Sequence, residues 1–251
     1  MTRCTQFRQL LREGAAITGT FMKTPSMIVA EVLGLSQLDV VCLDAEHAPF
    51  GRLELDACIA ALRAADMPSL VRVASDSPHD IRNALDSGAT GILVPHVSSG
   101  EQARAIVKST HFGEGGRGYA GSPRAAGYGT KTMADHRSDS AAHTTVVLQI
   151  EDLAALNHVE AIAESGADAM FIGRADLAVA MGKPVSAAEV IDAVRNICQT
   201  ASRAGVTVGM FTPALDEIPA WREAGAQLFL LASDHAFLLA GANRLVASAT
   251  S

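Results

Sequence analysis

The chain has 251 residues, of which 49% are hydrophobic and 19% charged, and its net charge is −7. This length suits one large domain or two small ones, and the acidic balance argues against nucleic acid as a partner, which would favour a basic surface. No run of about 18 apolar residues predicts a membrane span, and four scattered cysteines without a C-x-x-C pair favour a cytoplasmic protein without a zinc site.

Eight short apolar segments alternate with amphipathic segments along the chain. The predicted strands are residues 15–22, 38–44, 69–73, 90–97, 144–151, 168–173, 206–211 and 227–233. Several helical patterns between them, such as DIRNALDSG and CQTASRAG, end at a glycine, which is typical of helix C-termini. Strands that are apolar throughout and alternate with helices predict a parallel sheet covered on both faces. Eight such units are typical of a (β/α)8 TIM barrel, which we expect to form one domain over residues 1–251.

An open, doubly wound sheet is the alternative fold. It would require a G-x-G-x-x-G turn after the first strand, whereas the sequence there is GTFMKTPS. Residues 112–143 interrupt the alternation before the fifth strand and are rich in glycine. We expect this segment to be one long loop, and loops of that length are usually functional or mobile.

Polar side chains follow the carboxyl ends of most predicted strands, which is where barrel enzymes hold their active sites. In chain order they are Asp44 with His47, Arg72, His96, Gln149 with Glu151, Arg174 with Asp176, and Ser233 with Asp234 and His235. Because the strands of a barrel are parallel, these ends lie on one rim. We therefore expect the functional site at that rim.

Several of these residues have a purely structural alternative. Asp44 could terminate a tight turn, since aspartate favours turns, and His47 could be a surface loop residue. Arg72 lies within an apolar strand, where its permanent charge requires an anionic or carbonyl partner. That partner could be a substrate or a carboxylate on a neighbouring strand. His96 and His235 lie at the rim without an assigned role.

Glu151 and Asp176 together predict a metal site. A carboxylate such as Glu151, directly after the apolar run VVLQI, is costly to bury unless it is paired or bound to a cation. Asp176 could instead N-cap the next helix, a common position for aspartate. Two carboxylates on neighbouring strand ends suit Mg²⁺ or Mn²⁺, which leave coordination positions open for water and substrate.

Six motifs occur in the order DAEHAPF, VRV, LDSGATGILVPHV, GGRG, LQIED and FIGRADLA. Together they resemble the HpcH/HpaI aldolases, the metal-dependent class II pyruvate aldolases of the phosphoenolpyruvate/pyruvate superfamily. The resemblance implies a barrel enzyme that forms or cleaves the carbon–carbon bond between a 2-oxo acid, pyruvate or hydroxypyruvate, and an aldehyde, as in a 4-hydroxy-2-oxo acid aldolase. It also implies a homohexamer, a trimer of dimers in which the last helix packs on a neighbouring subunit.

The resemblance further implies roles for individual residues. Glu151 and Asp176 match the ligands of Mg²⁺ or Mn²⁺, with Co²⁺ as an alternative, and Arg72 matches the contact of the 2-oxo oxygen. His47, oriented by Asp44, is the implied catalytic base. The remaining implied substrate contacts are Gln149, Gly173, Ala175 and Phe211.

The sequence departs from the family pattern near the expected pocket. Arg174 stands where the family often has proline, and HFGEGG replaces the usual Tyr-Pro-Pro before G-x-RG. The preferred donor and acceptor can therefore differ from those of familiar members.

Three alternative functions follow from the same residues. Lys23, after the first strand, is the candidate for a Schiff-base mechanism, but that chemistry has no use for a pair of metal-binding carboxylates. An acyl-CoA lyase of the citrate lyase β-subunit type is the alternative metal enzyme. A non-catalytic 2-oxo acid binder is the alternative outside catalysis, and it would not need His47.

Overall fold

Eight parallel strands form a closed barrel in which each strand pairs with its neighbours in chain order and the eighth returns to the first. The structure, a computed structural model, describes residues 2–250. The strands are β1 Ile17–Met22, β2 Val40–Asp44, β3 Ser69–Arg72, β4 Gly91–Val94, β5 Thr145–Ile150, β6 Ala169–Ile172, β7 Thr207–Phe211 and β8 Ala226–Ser233. Every predicted strand segment overlaps an observed strand, and the predicted TIM barrel is confirmed.

Helices connect the strands and surround the barrel. They are α1 Arg3–Arg12, α2 Met27–Gly34, α3 Arg52–Ala64, α4 Pro78–Asp86, α5 Gly100–Thr110, α6 Met133–His143, α7 Val159–Ala163, α8 Arg174–Ala180, α9 Ala188–Arg203, α10 Ile218–Glu223 and α11 Asp234–Thr250. Helix α4 begins where the Ser77 side chain accepts the Asp80 backbone N–H and Pro78 occupies the first turn. Within residues 2–250, every helix is too short or too polar to cross a lipid bilayer.

The core has two layers, one inside the barrel and one between the strands and the helices. In β2, Val40 and Cys42 belong to the inner cluster, whereas Val41 and Leu43 belong to the outer one. This alternation is the pattern of a strand that is buried on both faces. Asp44 is next in the inward-facing series, so the strand delivers its carboxylate to the interior at the carboxyl end of the barrel.

Helix α1 covers the amino-terminal end of the barrel. Phe7 and Leu11 belong to the inner apolar cluster. Asp168, directly before β6, is buried and forms ion pairs with Arg8 at 2.9 Å and Arg12 at 2.6 Å. These contacts hold α1 over the amino-terminal ends of the strands. We therefore expect the substrate site at the opposite, carboxyl end of the barrel.

Residues 112–143 are not the continuous loop that the sequence predicted. They contain a 3-10 turn at 124–129 and the helix α6. Helix α6 begins at Thr132, whose side chain accepts the Asp135 backbone N–H, and His136 is its buried residue. The helix lacks the periodic apolar face from which amphipathic helices are predicted, so its sequence resembled that of a loop.

Candidate active site

A pocket of about 580 Å³ opens at the carboxyl ends of the strands. Its volume falls in the range of small-molecule sites, about 300–1,000 Å³. Seven of the residues that the sequence assigned to substrate, catalysis or metal line this pocket, namely His47, Arg72, Gln149, Gly173, Ala175, Asp176 and Phe211. Asp44 and Glu151 are buried beside it, at the carboxyl ends of β2 and β5. The predicted rim therefore forms one site.

Arg72 and Asp44 form a buried bidentate pair between neighbouring strands. The Nε and Nη2 atoms of Arg72 donate to the two carboxylate oxygens of Asp44 at 2.9 and 2.7 Å. Burial alone would raise the pKa of Asp44, but the hydrogen bonds and charge of Arg72 outweigh it and hold that pKa below its usual value. Phe21 packs under the guanidinium at 4.5 Å. The structural alternative for Arg72, a salt bridge to a neighbouring strand, is therefore realised within the pocket.

His47 lies at the rim, with 54% of its side chain exposed. Its backbone N–H donates to Asp44 Oδ1 at 3.1 Å, and Glu46 Oε2 lies 3.7 Å from its Nε2 atom. The sequence predicted that Asp44 orients the imidazole of His47. In this structure Asp44 instead fixes the backbone of the turn. The reason is that Arg72 and the Nζ atom of Lys23, which lies 3.3 Å away, occupy the Asp44 carboxylate.

Glu151 is a buried carboxylate, 2% exposed, just beyond the end of β5. Its Oε1 atom accepts the His96 backbone N–H at 2.9 Å, and its Oε2 atom accepts a short hydrogen bond from Gln149 Nε2. Burial raises the pKa of Glu151, and these hydrogen bonds offset the shift only in part. A Cβ atom on Gly173 would stand 2.6 Å from Glu151 Oε2, so glycine is required there.

Asp176 lies in the first turn of α8 and lines the pocket. The N-cap of that helix is Gly173, so the N-capping alternative for Asp176 is wrong. The charge of Asp176 is among the causes that raise the pKa of Glu151. The two predicted metal ligands are therefore close enough to act on one another.

Glu46 and His96 converge with Glu151, and sequence reasoning assigned a role to neither. The three residues each offer a ligand atom within 4.8 Å of one another. His96 Nε2 lies 3.4 Å from Glu46 Oε1, and His96 Nδ1 lies 3.4 Å from Glu151 Oε1. Both residues follow strand ends, and this position is the signal in the sequence that could have identified them. The approach of His96 to Glu46 and Glu151 also depends on its left-handed backbone, with φ of 56°.

These donors fit a divalent cation. Glu46, Glu151 and Asp176 provide carboxylate oxygens, which hard cations prefer, and His96 adds an imidazole nitrogen, which Mn²⁺ and Co²⁺ accept more readily than Mg²⁺. Glu46 Oε2 is buried without a hydrogen-bond partner, 3.3 Å from Arg72 Nε. Glu46 and Glu151, two largely buried carboxylates, provide negative charge that a cation would compensate.

Arg174, which departs from the family pattern, links two helices at the pocket wall. Its Nη1 atom donates to Glu217 Oε2 at 2.6 Å, and its guanidinium lies 4.7 Å from the ring centre of Trp221. Trp221 Nε1 donates to the same Glu217 oxygen at 3.2 Å. The arginine thus lies against α10 while it lines the pocket.

Comparison with known proteins identifies relatives of this chain. The model of the HpcH/HpaI aldolase/citrate lyase family matches residues 18–240. A hydroxypyruvate/pyruvate aldolase from Paraburkholderia phytofirmans is 32% identical over 239 residues, 91% of each chain. A 4-hydroxy-2-oxovalerate aldolase from Rhodococcus jostii is 35% identical over 217 residues, 84% of this chain and 82% of its own.

A solved structure has the same fold over its whole length. It is an HpcH/HpaI aldolase/citrate lyase family protein from Burkholderia cenocepacia, with a TM-score of 0.93 and 30% sequence identity. The match covers 98% of this chain and 100% of that one.

Proposed function

This chain belongs to the HpcH/HpaI aldolase/citrate lyase family and is a carbon–carbon lyase of the aldolase class, and we propose that its pocket joins or cleaves a 2-oxo acid and an aldehyde. The observation that carries the proposal is the convergence of an arginine, a histidine and an acidic cluster at one barrel mouth. These groups supply fixed positive charge, proton transfer and a cation site. Together they can generate and stabilise a carbanion next to a 2-oxo group.

The donor is a small 2-oxo acid, pyruvate or hydroxypyruvate, as for the hydroxypyruvate/pyruvate aldolase to which the chain is similar. Its carboxylate would lie against the backbone of Gly173 and Ala175, at the start of α8. The Gly173 N–H donates to the Ile150 carbonyl at 3.0 Å, so the donor would be the Ala175 amide, which has no acceptor within the helix. The Oε1 atom of Gln149, in the same pocket, is buried and is an acceptor without a hydrogen-bond partner. Phe211 provides an apolar wall for the remainder of the substrate.

Glu151 and Asp176 would hold the divalent cation, with Glu46 and His96 as neighbouring donors. We infer Mg²⁺ or Mn²⁺, with Co²⁺ as an alternative. The bound cation would supply Lewis-acid stabilisation of the negative charge that develops on the substrate.

Arg72 would direct a fixed positive charge at the 2-oxo oxygen. Asp44 binds its Nε and Nη2 atoms, which leaves Nη1 as the donor without an Asp44 partner. Since the guanidinium is held from behind by Asp44 and from below by Phe21, it does not have to reorganise as charge develops. Donors placed in advance in this way lower the barrier to the reaction.

His47 would move protons at C3 of the donor and at the C4 hydroxyl of the aldol. Its exposed imidazole at the rim can reach a substrate in the pocket, and histidine titrates in the range where it can both accept and donate a proton. Glu46, 3.7 Å from Nε2, is the carboxylate that supports the protonated ring. Lys23 is less suited to a Schiff base, because its ammonium group is paired with Asp44.

The direct test is release of pyruvate from a 4-hydroxy-2-oxo acid, before and after chelation and again after addition of Mg²⁺, Mn²⁺ or Co²⁺. We expect activity that is lost on chelation and restored by at least one cation. An adduct trapped on Lys23 by borohydride would contradict the proposal. Cleavage of the carbon–carbon bond of a 3-hydroxyacyl-CoA, without cleavage of a free 4-hydroxy-2-oxo acid, would favour the citrate lyase type. Binding of pyruvate without turnover would favour a binder.

We also propose that the chain forms a homohexamer, a trimer of dimers. Support comes from exposed apolar side chains on two helices. On α11 they are Phe237, Leu238, Leu239, Leu245 and Val246, and on α2 they are Met27, Ile28 and Val32. Apolar faces of this size favour contact with another protein surface.

We further propose a cytoplasmic location, which is supported by four free cysteines.

A further inference from the structure

A second pocket, of about 360 Å³, lies at the end of the barrel opposite the candidate active site. Asp66, Thr90 and Thr144, which line it, come just before β3, β4 and β5. The start of α1, the end of α4 and one side of α6 complete its walls. We call this cavity the amino-end pocket.

Arg117 is the principal charged group of the amino-end pocket. It is 6% exposed, its guanidinium stacks 4.1 Å from the Phe112 ring centre, and Nη2 donates to Ser140 Oγ at 3.2 Å. Its Nε atom is buried without a hydrogen-bond partner. Among residues 2–250, no carboxylate comes within 4.0 Å of this guanidinium. Asp86 is the acidic group that acts on its charge, but it lies beyond that distance and outside the lining of the pocket. An arginine cannot lose its charge inside a protein, so a buried one favours an anion.

His136 is the second buried polar group without a partner. It is 2% exposed, and its Nε2 atom has no hydrogen-bond partner. The ring packs edge-on against Phe112 at 5.1 Å, the same aromatic ring that supports Arg117. A histidine can donate a hydrogen bond from one ring nitrogen even when it is neutral. The pocket therefore contains two buried side chains, each with a polar atom that lacks a partner.

The remaining charges leave the pocket with cations in excess. Lys131 is paired with Asp139 at 2.7 Å, and Asp66 accepts the backbone N–H groups of Arg3 and Cys4. The acidic residues of the lining are thus engaged. Arg63 adds a further guanidinium, and its Nη1 atom donates to the Gly88 carbonyl at 3.1 Å.

We propose that the amino-end pocket binds a phosphate group, either as the free ion or as a small phosphate monoester. The tetrahedral dianion compensates the buried guanidinium and accepts from several donors at once, and arginine binds it through two N–H groups. Ser140 and Thr144 on the same wall share one hydrogen bond between their hydroxyl groups, which leaves one of the two O–H groups as a further donor. The volume exceeds that of one phosphate ion, which leaves room for a short organic group.

This site is independent of the aldolase reaction. It lies at the strand starts, whereas the acidic cluster and Arg72 lie at the strand ends. Phosphate bound there would contact α1 and α6 together, so it should stabilise the folded chain without competing with a 2-oxo acid.

The test is calorimetric titration of the full chain, stripped of metal, with inorganic phosphate and separately with glycerol 2-phosphate. We expect one saturable site per chain with a Kd below about 1 mM. Arg117→Gln should weaken binding about 10-fold or more, the usual effect of a lost charge-assisted hydrogen bond. Tighter binding of the monoester would identify an organic phosphate as the ligand, and binding of inorganic phosphate alone would identify the free ion.

A matched pair of exposed lysines keeps the test decisive if Arg117→Gln does not fold. Lys131 and Lys183 each form one ion pair, at 2.7 and 2.8 Å, but only Lys131 lines the amino-end pocket. Lys131→Gln should weaken phosphate binding several-fold, and Lys183→Gln should leave it unchanged. The proposal is overturned if wild-type protein shows no saturable binding. It is also overturned if Arg72→Gln abolishes binding while Lys131→Gln does not, which would place the phosphate in the active site.

Discussion

Arg72 and Asp44 show how one pair of side chains serves both the barrel and its site. Their register places them directly opposite one another on β2 and β3, and the pair is buried with two hydrogen bonds. Breaking a buried pair leaves the remaining charge without compensation, which costs stability. The functional effect of a substitution must therefore be separated from its effect on folding.

Arg72→Ala should lower kcat/KM by about 100-fold or more, as for a lost donor to a developing oxyanion. Arg72→Lys should not restore full activity, because a point charge does not reproduce the planar fork that holds Asp44 and the substrate together. Steady-state kinetics, with thermal melts of both variants, would check this. Near-normal kinetics in a folded Arg72→Ala variant would leave Arg72 with the structural role alone.

His47→Ala should lower kcat by about 100- to 10,000-fold, the range of a lost acid–base group. Because the imidazole lies outside the cluster of Glu46, His96 and Glu151, the affinity for Mn²⁺ should stay close to that of the wild type. Calorimetric titration of the metal measures this, and Glu151→Gln is the control that should lose affinity. A collapse of Mn²⁺ binding in His47→Ala would make His47 a ligand.

The sequence predicted the site residues that needed only their place at a strand end. These residues lie at or just after the carboxyl ends of strands whose apolar runs are clear in the sequence, and the parallel barrel brings them to one pocket. They are His47, Arg72, Gln149 and Asp176. Contacts between side chains could not be predicted in the same way. Asp44 binds Arg72 and not the His47 ring, because the strand register determines which group the carboxylate meets first.

At the scale of elements, an ion pair between Arg174 and Glu217 contributes to the link between α8 and α10, together with the contacts of Trp221. Arg174 Nη1 donates to Glu217 at 2.6 Å, and this hydrogen bond is the main cause of a lowered pKa for Glu217. A carboxylate with a lowered pKa in the folded state stabilises that state above its usual pKa. The contribution is lost as the pH falls through the folded value.

Glu217→Gln should therefore be less stable than the wild type at neutral pH. The difference in free energy of unfolding should persist down to the usual pKa of 4.5 and then shrink as the pH falls further. Urea unfolding at a series of pH values measures it. Glu223→Gln, at the exposed end of α10, whose N-cap is Glu217, is the control that should show no such trend. An equal trend in both variants would refute the role of Arg174.

Strands were easier to predict than helices in this chain, for a physical reason. A strand buried on both faces is largely apolar along its length, as in β2 and β5, where every residue is buried, and such runs stand out in any sequence. Helix α6 has one buried residue, His136, so no apolar period distinguishes it from the surrounding glycine-rich segment. Its existence depends on a side-chain cap at Thr132 and on tertiary contact with α1.

At the scale of the whole molecule, the two ends of the barrel have different roles. The amino end is covered by α1 and contains the proposed phosphate site. The carboxyl end contains the acidic cluster and the open pocket. The apolar faces of α2 and α11 lie outside both and favour a contact between subunits.

The oligomer should depend on α11. Introducing charge with Leu238→Glu and Leu245→Glu, at positions 66% and 72% exposed in one chain, should shift the molar mass from light scattering towards smaller species. Gln199→Glu also adds one negative charge, at an exposed position of α9, and should leave the molar mass unchanged. A wild-type monomer at micromolar concentration would contradict the hexamer.

Exchange of the methyl protons of pyruvate in D₂O tests the central claim most directly, because it reports proton removal at C3 without an aldehyde. Proton NMR should show exchange that requires the protein, stops on chelation, resumes with Mg²⁺, Mn²⁺ or Co²⁺, and slows in His47→Ala. Exchange that continues undiminished after exhaustive chelation would contradict a metal-dependent aldolase at this site. So would a remetalled wild-type protein that cleaves aldols without any exchange.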